Sequence, residues 1–138
     1  MDRRRARQIV LELLYQRELV GDLPEDAFAA RALGAHREFV EGRVCGVIER
    51  MEELDRLLAP RTRNWRYERL GVTDRNILRL GAYELLFAPE IPPEVAIDEA
   101  VELCKAFGTD PAPSFVNGIL DRLWKERIAG EDVAPAED

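Results

Sequence analysis

Four arginines within five residues, Arg3, Arg4, Arg5 and Arg7, open the chain in the stretch RRRAR. Guanidinium groups grouped this tightly suit forked contacts with phosphate. A helix that starts here also presents unpaired amide donors and the positive end of its dipole, where each cation costs about 0.3–1 kcal/mol before salt screening. Folding by itself selects the opposite charge at such a place. A polyanion supplies the missing negative charge, and nucleic acid is the first candidate. The alternative is a solvated basic start that aids solubility or reaches an acidic patch elsewhere in the fold.

Catalysis has far less support. The single histidine, His36, stands in a polar turn beside Arg37 and Glu38 and reads as a surface residue. No phosphate-binding loop, dinucleotide fingerprint, HExxH or GxSxG motif is present. Carboxylate pairs such as Asp98 and Glu102 arise readily by chance in helices of this charge content. Cys45 and Cys104 lie far apart without a Cys-x-x-Cys or a second histidine, so they are expected to be buried, reduced thiols. The chain is therefore expected to hold no metal or cofactor and to be no enzyme.

Charge distribution refines the binding mode. The formal net charge is -7, although through Arg17 five arginines face only Asp2 and Glu12. Of the 20 basic residues only Lys105 and Lys125 are lysines. A protein acidic everywhere except one patch repels nucleic acid along most of its surface. A short single strand, whose bases can stack on aromatic or guanidinium planes, fits better than a duplex, which favours RNA over DNA.

The elements that position these residues read as helices throughout. Apolar residues recur at three- and four-residue spacing, with no sustained β-type alternation. The spacing predicts a helix over 3–20, with Asp2 as cap, Ala6, Ile9, Val10, Leu13, Leu14 and Arg17 on one stripe, and Gly21-Asp22 as its stop. A short helical segment from Pro24 to Leu33 follows. One long amphipathic helix from Arg37 to Ala59 is ended by Pro60. RTRNWRYERLG is a basic connection in which Trp65 and Leu70 pack, closed by Gly71. A nearly all-apolar helix capped by Thr73 or Asp74 runs to Phe87 and should be central; the polar Arg79, Tyr83 and Glu84 on it read as internal pairing or as a patch for a protein partner. After the prolines at 89, 92 and 93, a helix from Glu94 places Val95, Ala100, Val101, Cys104 and Phe107 inward, with Gly108 as its terminal glycine. A last helix from Ser114 turns Phe115, Ile119, Leu123 and Trp124 inward. In it Asn117 and Gly118 are poor helix formers, by about 1 kcal/mol for Gly relative to Ala, so either tight packing or a bordering ligand must compensate.

At 138 residues, with 46% hydrophobic and 34% charged, the chain is expected to form a single all-α domain of six to seven helices over residues 1–128, followed by an acidic, disordered tail over 129–138. No apolar run approaches the ~20 residues of a membrane span, and no secretory signal opens the chain. A cytoplasmic location follows.

RRRARQIVLELLYQRE, VTDRNILRLGAYELLF, IPPEVAIDEAVELCKAFG and FVNGILD, in this order, resemble the signature segments of the NusB transcription antitermination family, and the similarity extends over most of residues 3–124. The resemblance implies a NusB-like helical bundle that binds boxA-type single-stranded RNA in ribosomal RNA leader transcripts. It implies a small-subunit ribosomal protein, NusE, as joint partner, within the antitermination complex on RNA polymerase. It further implies RNA contacts at Arg3, Arg4, Arg5 and Arg7, and at Lys105, Ser114, Phe115 and Asn117. Tyr15 and Asp74, with Arg75 and Glu84 beside them, match positions near the ribosomal-protein interface. Two departures stand out. DPAPSF carries no basic residue before Phe115, and the C-terminal end is acidic. Self-association is known among relatives, and a helical dimerisation module without RNA affinity remains the alternative.

Overall fold

The computed structural model describes residues 1–62, 66–109 and 112–130, and these contain six α-helices and no strand. They are α1 (Arg3–Val20), α2 (Arg37–Glu49), α3 (Met51–Leu58), α4 (Val72–Phe87), α5 (Pro93–Phe107) and α6 (Ala112–Ile128). Short 3-10 turns lie at Gly34–His36, Ala59–Thr62 and Tyr67–Arg69. The all-helical bundle implied by the periodicity is the fold observed.

The Asp2 carboxylate caps α1 by accepting from the Arg5 amide at 2.8 Å, which satisfies one of the orphan donors of the first turn. Gly21 stops the helix at φ 108°, a left-handed conformation available to glycine, and donates to the Arg17 carbonyl at 2.8 Å. In between, Ala6, Ile9, Val10, Leu13 and Leu14 are buried as their spacing requires. Helix α4 is central and packs on α1, α2, α3, α5 and α6, with Ile77, Leu78, Leu80 and Ala82 almost fully enclosed. Pro92 and Pro93 start α5, and Pro113 sits in the first turn of α6, places where a missing N–H costs no helical bond.

Several expectations need correction. The stretch after Pro24 is a chain of turns, with Ala27 N–H donating to the Pro24 carbonyl and Arg31 to that of Phe28, and it buries only Ala27 and Leu33 outright. So little apolar surface cannot support a helical nucleus. The long helix expected over 37–59 bends at Arg50, whose φ of -107° and ψ of 16° separate α2 from α3. The apolar pattern passes through that bend unbroken, since Val47, Leu54 and Leu58 are all buried, and for this reason periodicity reads one helix. Cys45 is exposed and only Cys104 is buried. Val95 and Phe107 face solvent, while Ala96, Ile97 and Leu103 take the inward positions of α5. Tyr67, within the basic connection, joins the core, whereas Trp65 and the acidic tail from Glu131 lie outside the described residues.

A buried ionic group ties three helices together. Glu84 of α4 accepts from Arg7 of α1 at 3.0 and 3.2 Å and from Arg43 of α2 at 3.0 Å. Glu84 is 1% exposed and Arg7 4%. Replacing one member of such a group leaves uncompensated charge in a poorly solvated place. Glu84→Gln should therefore lower the unfolding free energy by about 3 kcal/mol or more, read from urea unfolding at neutral pH. A loss below about 1 kcal/mol would show that water reaches both guanidiniums.

Candidate nucleic-acid and partner interface

The capped first turn of α1 carries Arg3, Arg4 and Arg5 on the surface and turns Arg7 inward. Arg7, 4% exposed, is held by Glu84, so in this structure its guanidinium serves the interior. The exposed arginines are engaged as well. Arg4 makes a forked contact with Glu99 of α5 at 2.9 and 3.2 Å, and Arg5 reaches Gln8 and Glu12 at 3.2 and 3.1 Å. The Arg4 guanidinium is held above its usual range by the Glu99 contact. Arg3 lies with its Cζ 4.0 Å from the centroid of the Phe39 ring. The acidic patch elsewhere, weighed above as an alternative partner for the cluster, therefore exists within the chain itself.

The patch continues along α5. Glu99, Glu102 and Lys105 succeed one another at three-residue spacing on one face, with Lys105 donating to Glu102 at 3.3 Å and Glu102 acting electrostatically on Arg4. Lys105 is exposed and thus joins the face that starts at Arg4. On α6, Ser114, Asn117 and Gly118 are exposed, and Phe115 is half-buried against the core. Nothing lies within 4 Å of a β-carbon built at Gly118, so tight packing does not explain this glycine. Asn117 and Gly118 stand exposed in the first half of α6, and the space beside Gly118 is open.

A second feature adjoins the first. A cavity of about 290 Å³ is lined by Gln8, Leu11, Glu12, Tyr15, Thr73 and Phe107. Its neighbour, of about 300 Å³, shares Tyr15, Thr73 and Phe107 and extends to Asp74, Gly108 and Thr109. Together they form a groove between α1, the start of α4 and the end of α5. Tyr15 is 44% exposed and Phe107 47%, so two aromatic rings stand open at its mouth.

Asp74 borders this groove but is only 4% exposed; it accepts from the Thr109 amide at 3.3 Å and from the Thr109 hydroxyl at 2.9 Å. Gly108 beside it is extended, with φ -87° and ψ -177°, and not left-handed as a terminal glycine would be. Its lack of a side chain serves close approach, because a β-carbon would stand 2.7 Å from Asp74 Oδ1. Burial and the nearby Asp74 push the Cys104 thiol up to about 12. Arg75 donates to the Leu70 carbonyl at 2.7 Å and pairs with Glu18. Glu84 lies in the core, 1% exposed. Of the residues matched to the ribosomal-protein interface, Tyr15 is the exposed one, Asp74 lines the groove behind it, and Arg75 is half-buried beside Asp74.

Sequence reasoning missed Phe39, Glu99 and Phe107. Phe39 precedes the apolar stripe of α2 that begins at Val40, and an aromatic ring off the buried stripe was the available signal. Phe107 gave none, since its spacing continues the inward pattern of α5. Among the described residues no cluster of His, Cys, Asp and Glu is arranged to hold a metal ion, and no helix is long and apolar enough to cross a membrane.

Comparison with known proteins places this arrangement among relatives. The sequence model of the NusB family matches residues 4–125. The transcription antitermination protein NusB of Trichlorobacter lovleyi is 40% identical over 126 residues, covering 88% of this chain and 89% of its own length. The structure of T. maritima NusB superposes with a TM-score of 0.83 at 38% identity, over 99% of this chain and 96% of the other. A chain from the crystal structure of antitermination factors NusB and NusE in complex with dsRNA superposes with a TM-score of 0.76 at 29% identity, over 91% of this chain and 98% of the other.

Near the groove, the Glu18 carboxylate ties α1 to α4, accepting from Arg75 and, at 3.0 Å, from Arg79. Burial alone would raise Glu18; the Arg75 and Arg79 guanidiniums outweigh that and hold it below its ordinary 4.5. A carboxylate lowered by folding stabilises the folded state above its unfolded value and loses that contribution as pH falls through the folded one. Stability should therefore decline on acidification from about pH 4.5 downward, and Glu18→Gln should decline less steeply over the same window. Thermal unfolding of both proteins between pH 3 and pH 7 checks this, and parallel curves would remove Glu18 from the account.

Proposed function

This chain belongs to the NusB family, and from that premise we propose that it is a transcription antitermination factor. It binds boxA-type RNA in ribosomal RNA leader transcripts together with the small-subunit ribosomal protein NusE. It does so within the antitermination complex on RNA polymerase, and thereby promotes complete ribosomal RNA transcription. The role is one of binding, without catalysis, and it is exercised in the cytoplasm. Residues 1–128 carry it as one domain, with 129–138 as an acidic appendage.

The observation that carries this reading is the adjacency of two surfaces on α1. Its first turn presents Arg3, Arg4 and Arg5, and the face continues along α5 to Lys105. One to three turns further on, Gln8, Leu11 and Tyr15 line the apolar groove that Phe107 completes. RNA takes the arginine face and the start of α6 at Ser114, Phe115 and Asn117. The ribosomal protein takes the groove at Tyr15. A related chain found in a complex with NusE and double-stranded RNA supports joint occupancy of neighbouring surfaces.

The internal pairing of the arginines sets the mechanism. Glu99 occupies the fork of Arg4, so a phosphate that binds there must displace a carboxylate already in place. The chain alone therefore binds RNA weakly. With NusE in the groove, the second protein extends the contact surface, and the arginine face becomes one part of a composite site.

Fluorescence anisotropy of a labelled boxA-type RNA and a scrambled control, with and without NusE, tests the reading. Arg4→Ala should weaken binding and reduce the slope of log K against log salt by about 0.7, the value for one phosphate contact on a single strand. Glu99→Gln, which frees the Arg4 fork, should tighten it. Equal and feeble binding of both RNAs throughout would instead favour a helical self-association module, for which gel filtration would show a dimer.

A further inference from the structure

Within the RNA-binding reading, which it presupposes, we propose that Phe39 is a positioning residue of the RNA site. Its ring face holds the Arg3 guanidinium in place and leaves all of that group's hydrogen-bond donors free for the RNA.

The four arginines of the opening stretch differ in what they touch. Arg4, Arg5 and Arg7 each have a carboxylate at ion-pair distance, namely Glu99, Glu12 and Glu84. Among the described residues no carboxylate lies at ion-pair distance from Arg3; Glu90 acts on it electrostatically without a hydrogen bond, and its side chain rests on the ring of Phe39, 4.0 Å from Cζ to centroid. A carboxylate consumes the N–H donors of a guanidinium; a ring face attracts the same charge through its quadrupole and consumes none. Arg3 is thus fixed yet unspent. An arginine at an exposed helix start otherwise samples many rotamers, and ordering it on binding would reduce affinity.

The platform beneath it is itself held. Phe39 is half-buried on α2 and packs against the core from outside the buried stripe. Arg43 also lies over its ring, 4.3 Å from the centroid, and Arg43 is anchored by Glu84 at 3.0 Å and Glu90 at 3.4 Å. The buried ionic group therefore sets the ring, and the ring sets Arg3. Burial of apolar surface alone does not require an aromatic side chain at this place. A site for single-stranded RNA does, because guanidinium planes interleaved with aromatic rings are what bases and phosphates bind.

Binding of a fluorescein-labelled single-stranded boxA-type RNA to the full chain with NusE present tests the role. Phe39→Leu should weaken affinity about two- to fivefold, the size of an exposed cation–π contact. Phe39→Trp, which keeps a ring face, should bind as wild type does. Arg3→Gln should weaken binding, and the double variant Phe39→Leu/Arg3→Gln should bind no worse than Arg3→Gln alone, since Phe39 acts only through Arg3. If Phe39→Leu lowers the melting temperature by several degrees, Phe39→Met, with similar volume and no ring, replaces it in the same cycle. Additive losses, or a leucine variant that binds like wild type, overturn the proposal while leaving RNA binding intact. A wild-type chain that ignores the RNA overturns the RNA-binding reading and this inference with it.

Discussion

Two guanidinium groups enclosed in a small helical domain must share a counter-charge, because an unpaired buried ion costs several kcal/mol. Glu84 supplies it. Sitting one turn from the C-terminal end of the most buried helix, it accepts from Arg7 on α1 and Arg43 on α2, so the register of three helices is set by one carboxylate. Apolar packing alone would tolerate a helix sliding or rotating by part of a turn at modest cost, whereas a forked ionic contact does not. Placing Arg7 inward then fixes which way the first turn of α1 faces. Arg3 and Arg4 share the face of Arg7, one turn nearer the open end of the helix, where they stand exposed, and Arg5 points away from it.

A second polar group repeats the arrangement near the middle of α4. Arg79 contacts Asp55 of α3 at 2.8 and 3.0 Å, Glu18 of α1 at 3.0 Å and Asn76 at 2.9 Å. Tyr67 donates to Asp55 at 2.5 Å, and burial first, then that carboxylate, pushes its hydroxyl far up. Here too an arginine of α4 is matched by acids from neighbouring helices. The two groups are interleaved with the buried apolar residues of α4, and through Arg7 and Glu18 they pin α1 near both ends. The groove at Tyr15 and Thr73 lies against this pinned segment, so the surface proposed for the ribosomal protein is built on a fixed helix.

Much of this architecture was legible from residue spacing. Buried stripes in α1 and α4, the cap at Asp2, the stop at Gly21 and the proline start of α5 all follow from local chemistry, and local chemistry is what a single sequence records. Long-range pairing was not legible. That Arg7 faces Glu84 across 77 positions, or Arg4 faces Glu99, depends on how helices are arranged in space, and arginines with the same neighbours in sequence meet opposite fates. The bend at Arg50 escaped because the apolar pattern crosses it without a break. Phe107 escaped because an exposed aromatic at a helix end has the same spacing as a buried one. Gly118 was readable as an anomaly, and only its empty surroundings separate the two explanations for it.

The acidity of the chain and the pairing of its arginines belong to one argument. A patch whose cations are already matched by Glu99 and Glu12 presents little net field at a distance, so it does not attract nucleic acid indiscriminately. In the proposed binding mode an RNA gains from Arg4 and Arg5 only by exchanging carboxylate for phosphate, at close range and in the correct register, while Arg3 needs no such exchange. Each exchange is nearly balanced in water, where one charge-assisted contact replaces another. In that mode affinity comes from what the carboxylates do not offer: base stacking, the free donors of Arg3, contacts to the exposed start of α6, and the second protein. Selectivity then follows from weakness alone, because arginines held by Glu84, Glu99, Glu12 and the Phe39 ring make a near-balanced exchange depend on the RNA's sequence and on the company in which it arrives.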